Sequence, residues 1–254
     1  GNIFSTISAT VGNDISTFPD YPADIRAPQG SLTGVSGFQV HIGAEKVLTP
    51  GDKCDVLIAM NPAALKTQYK FCTSRSIIIV DTDSFKENDL KKAEFQTNDP
   101  FEEMGIKNEV IAAPITSMCV EALKDSGLDF KSSVRCKNMF ALGLVCWLFN
   151  RPVDKAVAFL EGKFQKKPQL IAPNVKVLTD GFNYGQNLAL NVQTMNVEKS
   201  SELSKGTYTS IAGNKATAWG LIAAAEKCGK RLFLGSYPIT PATVILEELA
   251  IHKA

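Results

Sequence analysis

Two continuous apolar runs constrain the fold more than anything else in this chain. They are "DVLIAM", Asp55 to Met60, and "RSIIIVD", Arg75 to Asp81. Both are rich in β-branched side chains, and neither alternates with polar residues. A strand with one wet face alternates. A strand covered on both faces reads as an unbroken run, which is the pattern of parallel sheets. Between them stands "NPAALKTQYKFC", a helical stretch with Pro62 in its first turn, where a missing N–H costs nothing. Strand, helix, strand is a βαβ crossover.

The remaining segments extend this pattern. "NIFSTISATVG" carries apolar residues at helical spacing and ends at Gly12, a plausible C-cap. "DISTFPDYPADIRAPQG" is a short extended piece in which Pro19, Pro22 and Pro28 exclude a central strand. "VSGFQVHIG" alternates and predicts a strand carrying His41. "EVIAAPI", Glu109 to Ile115, predicts a further strand, and "ITSMCVEALKDSG" a helix closing at Gly127. "KNMFALGLVCWLFN", Lys137 to Asn150, is apolar nearly all round and predicts a buried helix. "PVDKAVAFLEGKF" predicts another, with Pro152 near its start.

Beyond this the character changes. Val197 to Gly206 is Ser/Lys/Glu-rich, lacks any period and reads as an interdomain linker. After it, "NKATAWGLIAAAEKCG" predicts a helix capped by Gly229, "KRLFLGSYP" a strand and "TPATVILEELAIHKA" a helix. The expected architecture is therefore α/β. A largely parallel sheet with flanking helices (residues 1–196) is followed by a linker (197–206). The opening helix–strand–helix of a second α/β domain (207–254) comes last. Three elements cannot close a core of useful size, so that last piece is expected to begin a larger domain or to pack on something else.

Composition narrows the function classes. Apolar residues make up 44% and charged residues 21%, which suits a globular protein. The formal net charge is +1, so no global field attracts nucleic acid or an anionic membrane. No apolar run reaches the length of a membrane span. The opening "GNIFSTISATVGND" lacks a basic n-region and an apolar h-region, so a cytoplasmic location without a secretion signal is expected, and the natural N-terminus is expected to lie upstream. The six cysteines are scattered with no C-x-x-C spacing, and there are two histidines, His41 and His252. Such usage suits a reducing compartment and offers no local metal or iron–sulfur ligand set. Cys54 and Cys146 lie in apolar runs and read as small buried hydrophobes.

Three stretches bear on chemistry. A G-x-G-x-x-G loop that would cradle a pyrophosphate is absent, which weighs against an NAD-dependent dehydrogenase. "FPDYPADIRAPQG", Phe18 to Gly30, is stiffened by its prolines. It reads equally as a surface shaped for a partner or ligand and as a rigid crossover holding an Asp24–Arg26 or Asp20–Arg26 ion pair. "GSYPITPAT", Gly235 to Thr243, puts Thr240 between Pro238 and Pro241 at the expected start of a helix. Ligands of α/β proteins bind where a strand's carboxyl end meets a helix N-terminus. The Thr240 hydroxyl could serve a ligand anion there, or simply cap the helix.

The run "GNKATAWGLIAAAEKCGKRLFLGSYPITPAT" resembles the opening of the pyrimidine-binding domain in 2-oxoacid:ferredoxin oxidoreductases, the thiamine-diphosphate enzymes. "DYPADIRAPQGSLTGVSGFQVHIG" and "TPGDKCDVLIAMNPAAL" resemble the same family's gamma domain. The two blocks stand in the order of the fused gamma–alpha subunit and together span nearly the whole chain. The departures are that the family's leading strand and Gly-rich turn do not precede Gly1, and that the pyrimidine domain is expected to continue past Ala254. The resemblance implies that the glutamate activating the thiamine ring lies beyond Ala254. Glu247 and Glu248 do not match it, so no catalytic residue is assigned here and the isolated chain is expected to be inactive.

The resemblance further implies CoA-dependent oxidative decarboxylation of a 2-oxoacid, with the fused layout leaning toward 2-oxoglutarate. The products would be acyl-CoA and CO₂, with electrons passed to ferredoxin. It implies thiamine diphosphate shared with a beta subunit, which would also carry magnesium and the iron–sulfur clusters in a hetero-oligomer. Thr240 would contact the substrate, and Tyr237, Pro238 and Ile239 would shape the cofactor wall. No nucleic acid, membrane or metal site on this chain is expected. The contrasting expectation is a non-catalytic α/β assembly module whose Pro-rich faces dock other subunits.

Overall fold

The computed structural model describes the whole chain except residues 23–25, 189–191, 203, 205, 253 and 254. It divides into two compact units, Gly1–Leu203 and Ser204–Ala254.

Unit 1 opens with α1 (Asn2–Thr10), which ends against Gly12 at φ +98°. The antiparallel pair β1 (Asp14–Asp20) and β2 (Gly37–Gly43) follows, with Pro19 opposite Phe38. A two-stranded ribbon is all edge, so a proline without an N–H is admissible there. The alternating β2 therefore belongs to this ribbon and not to the parallel sheet. Asp24, proposed above as an ion-pair partner, lies outside the described residues.

The parallel sheet comprises β3 (Cys54–Ala59), β4 (Cys72–Asp81) and β5 (Val110–Ala113), in that spatial order. α2 (Pro62–Gln68) makes the first crossover; the Asn61 side chain accepts from the Ala64 amide at 2.8 Å and Pro62 follows it. α3 (Glu87–Lys92) and α4 (Pro100–Glu103) lie in the second. β4 is the middle strand, and every residue from Ser76 to Asp81 is buried. Its side chains alternate between two apolar layers. Ile77 and Ile79 join Ile111, Leu144 and Leu148 on one face, while Ile78 and Val80 join Ala59 and Leu65 on the other. Each such aliphatic side chain contributes about 1.5–3 kcal/mol on burial, which is why an uninterrupted run is required here.

α5 (Ile115–Ala122) follows β5; it ends before Gly127, which closes a separate turn at φ +75°. α6 (Phe130–Arg135), α7 (Lys137–Leu148), α8 (Val153–Lys163) and α9 (Ile171–Leu188) complete the unit. α7 is buried continuously from Phe140 to Leu148. It packs against α9 at a distance that side chains would forbid. A Cβ on Gly143 would lie 2.0 Å from the Leu178 carbonyl oxygen, and one on Gly181 would lie 2.1 Å from that of Phe140. The chain beyond α9 returns to the end of α1: Asn13 Nδ2 donates to the Glu198 carbonyl at 2.5 Å, and the Ser200 backbone amide donates to the Gly12 carbonyl at 2.8 Å.

Unit 2 contains α10 (Gly213–Cys228), ended by Gly229 in the left-handed region, and α11 (Thr243–Ile251). The expected strand over "KRLFLGSYP" is not formed. A strand needs a neighbour to satisfy its backbone groups, and among its described residues unit 2 forms no strand that could pair with it. The two helices are joined through Glu248, which accepts from Trp219 Nε1 at 2.8 Å and lies 3.4 Å from Lys215 Nζ.

Candidate functional site

In an open parallel sheet the natural ligand site lies outside the carboxyl ends of the strands. Here the end of β4 carries Asp81, fully buried. One of its oxygens accepts from the Thr116 hydroxyl at 2.5 Å, from Ser84 Oγ at 3.2 Å and from Lys137 Nζ at 3.3 Å. The other accepts from the Thr116 amide at 3.2 Å. Asp83 repeats the arrangement one step outward: it accepts from the Ser117 amide at 2.6 Å and from the Ser117 hydroxyl at 2.7 Å. The free amides at the start of α5, which could hold an anionic ligand, are thus taken by two carboxylates of the protein itself. Lys137 is likewise committed, bonding Asp81 and Thr116 Oγ1. This cluster is a clamp between β4, α5 and α7. Sequence reasoning missed it, because its members are far apart in the chain and only the register of β4 brings them together.

The start of α2 is occupied too, by the Asn61 side chain. What remains open is a cleft of about 750 Å³ along the unpaired side of β3, lined by Phe38, Val40, Val56, Met60, Met139 and Val145 among others. Lys53, Asp55 and Asn138 give it polar points. Cys54 is on its wall and is half-buried beside Cys72, with the sulfurs 3.8 Å apart. The reading of Cys54 as a buried hydrophobe is therefore corrected, since it begins β3 at the open end of the sheet. Cys146, within α7, is fully buried, and burial pushes its thiol up to about 12.

The residues singled out from sequence lie in unit 2, in the turn before α11. Tyr237 is 76% exposed and Ile239 51% exposed; Pro238 and Thr240 are exposed as well. The turn is held from within its own unit. The Ile239 amide donates to the Tyr237 carbonyl at 2.9 Å, the Thr243 amide to the Ile239 carbonyl at 3.1 Å, and Asn214 Nδ2 to the Pro241 carbonyl at 2.9 Å. Thr240 does not cap α11: the N-cap position is Ala242, with no side-chain cap bond. The helix starts two residues past the expected place, and the Thr240 hydroxyl is left off it. Tyr237, Pro238 and Ile239 are thus three consecutive exposed residues. Glu248 is engaged by Trp219 and Lys215, and these contacts hold its carboxyl below the usual range, the Trp219 hydrogen bond contributing most.

Among the described residues, no group of three or more His, Cys, Asp or Glu is arranged to hold a metal ion. No helix among them is long and apolar enough to cross a membrane.

Comparison with known proteins adds three findings. The profile of the family described as pyruvate ferredoxin/flavodoxin oxidoreductase matches residues 1–184. The "2-oxoglutarate oxidoreductase subunit KorA" of Mycobacterium tuberculosis is 41% identical over all 254 residues of this chain, which spans 39% of that relative's length. A solved structure, the 2-oxoglutarate:ferredoxin oxidoreductase from Magnetococcus marinus with 2-oxoglutarate, coenzyme A and succinyl-CoA bound, superimposes with a TM-score of 0.70 at 24% identity. That match covers 99% of this chain and 38% of the solved one, and it establishes the fold.

Proposed function

Because the chain belongs to the pyruvate ferredoxin/flavodoxin oxidoreductase family, we propose that it forms part of a 2-oxoacid:ferredoxin oxidoreductase. Its role would be that of the fused gamma domain and the opening of the pyrimidine-binding domain in the alpha subunit. The reaction would be CoA-dependent oxidative decarboxylation of a 2-oxoacid, with 2-oxoglutarate the first candidate. Acyl-CoA and CO₂ are the products, and electrons leave to ferredoxin. The observation that carries the reading is the 41% identity to KorA, which covers all 254 residues and so both units.

Thiamine diphosphate would supply the carbanion chemistry when bound. This chain's own part is orientation. Tyr237, Pro238 and Ile239, exposed in the turn before α11, would shape one wall beside the pyrimidine ring, and the opposite wall would come from outside unit 2. The Thr240 hydroxyl, freed from capping, would donate to the carboxylate or carbonyl of the 2-oxoacid. A partner beta subunit would hold the diphosphate and magnesium, and the clusters would reside off this chain. Unit 1 would help enclose the coenzyme A and substrate channel. The complex would work in the cytoplasm.

The test is reduction of a viologen dye by the natural full-length subunit with its beta partner. It should require both a 2-oxoacid and coenzyme A, and 2-oxoglutarate should outrun pyruvate. A complex that retains thiamine diphosphate and reduces the dye with no 2-oxoacid would end the proposal.

A further inference from the structure

We propose that Cys54 and Cys72 are a modification site: a thiol pair that closes to a reversible disulfide when a hydroperoxide enters the cleft beside β3. The geometry carries it. The two residues are direct partners at the start of the β3–β4 ladder. Neighbouring strands lie about 4.8 Å apart, inside the roughly 4.4–6.8 Å Cα separation that a disulfide spans. The sulfurs already touch at 3.8 Å. Closing to the covalent distance, about 2.04 Å, needs side-chain rotation and a small backbone adjustment. The ladder permits that adjustment, because its register shifts between Cys54 and Val56. Both cysteines are half-buried, and Cys54 is on the cleft wall, so a small oxidant has a path to the pair.

The surroundings divide the roles. Burial raises both thiols above the ordinary range, Cys54 to about 12. Cys72 is the better nucleophile, because the contact with the Cys54 thiol and the charge of Lys53 favour its thiolate. In the first step the Cys72 thiolate attacks the peroxide O–O bond. An S–O bond forms, the O–O bond breaks, and the departing oxygen takes a proton to leave as water or an alcohol. In the second step Cys54, losing its proton, attacks the Cys72 sulfenic sulfur. The S–S bond forms and the sulfenic oxygen leaves with that proton as water. Two thiols lose two electrons, and the peroxide gains them. The other four cysteines are placed differently: Cys146 and Cys119 are fully buried, Cys136 is buried, and Cys228 is exposed in unit 2. The bridge would tie the amino-terminal ends of β3 and β4, at the end of the sheet opposite Asp81, so the clamp there would stay intact.

The experiment treats the full chain, carrying Cys228→Ser to prevent intermolecular bridges, with hydrogen peroxide, followed by alkylation and peptide mapping. The expected result is a Cys54–Cys72 linked peptide that dithiothreitol reverses, forming faster at higher pH as more thiolate becomes available. Cys54→Ser should leave a Cys72 sulfenic acid that dimedone traps, and Cys72→Ser should leave residue 54 reduced. Circular dichroism confirms that each variant is folded. A folded protein whose Cys54 and Cys72 stay free under peroxide would overturn the proposal. Separate overoxidation of the two with no linked peptide would overturn it equally.

Discussion

At Thr240 the structure removes one explanation and leaves the other. A threonine just ahead of a helix ordinarily earns its place by capping. Here Ala242 occupies the N-cap position and the Thr240 hydroxyl is exposed. In the complete enzyme Thr240→Val should therefore leave thermal stability unchanged, since no cap bond is lost. If the hydroxyl meets the 2-oxoacid, a bond to a charged group worth about 1.5–3 kcal/mol disappears. That corresponds to a fall in kcat/KM on the order of 10- to 150-fold, seen chiefly in KM. Steady-state kinetics and melting on the same variant decide it: a variant with wild-type kinetics would end the substrate-contact role. The identity of this residue was legible in "GSYPITPAT", but its freedom was not. The local pattern of Thr and Pro does not say which residue starts the helix.

At the scale of elements, β3, β4 and α7 were legible because a fully covered element has no polar face to disguise it. α9, the longest helix of the chain, was not. Its sequence "IAPNVKVLTDGFNYGQNL" contains Pro173, Gly181 and Gly185, poor helix formers by propensity. Pro173 is tolerated because it falls in the first turn, and the glycines are required by the crossing with α7. Gly143→Ala should accordingly cost at least the roughly 1–3 kcal/mol of ordinary overpacking, because the obstacle is the Leu178 backbone carbonyl and cannot rotate away. Gly162→Ala, in α8 with nothing near its absent Cβ, should instead stabilise by about 0.5–1 kcal/mol. Urea midpoints of the two variants should move in opposite directions. The α10–α11 pair makes a pH prediction. The Glu248 carboxyl is depressed below the ordinary glutamate range, near 4.5, chiefly by the Trp219 hydrogen bond and then by Lys215. Its stabilising contribution is therefore present above pH 4.5 and lost as pH falls through the lowered value. Trp219 emission, taken as the difference from Trp219→Phe, should change in that acid window. Glu248→Gln should flatten the change, and an unaltered profile in that variant would dissociate Glu248 from the pairing.

For the whole molecule, the two units differ in what they bury. Unit 1 has apolar layers on both faces of β4 and, in α7, a helix buried from Phe140 to Leu148. In unit 2, Ala218 is the one described residue that is fully covered, while Phe233 is 91%, Tyr237 76% and Ile251 74% exposed. The expected "KRLFLGSYP" strand is unformed for the same reason: its apolar residues are suited to a sheet, and among the described residues of unit 2 there is none. Within the stretch 197–206, read as a linker, Glu198 and Ser200 are hydrogen-bonded to Asn13 and Gly12, just after α1. Chain opening is governed by how much burial and bonding must be undone locally. Limited chymotrypsin should therefore cut early at Tyr208 and Phe233, both exposed outside helices and neither followed by proline. A resistant product should remain, beginning at Gly1 and ending at Tyr208, in which Phe140 and Trp147 within α7 survive uncut. Mass spectrometry of the time course identifies the ends directly. If Tyr208 and Phe233 resisted as long as Phe140, unit 2 would have to be covered by a surface its own residues do not provide.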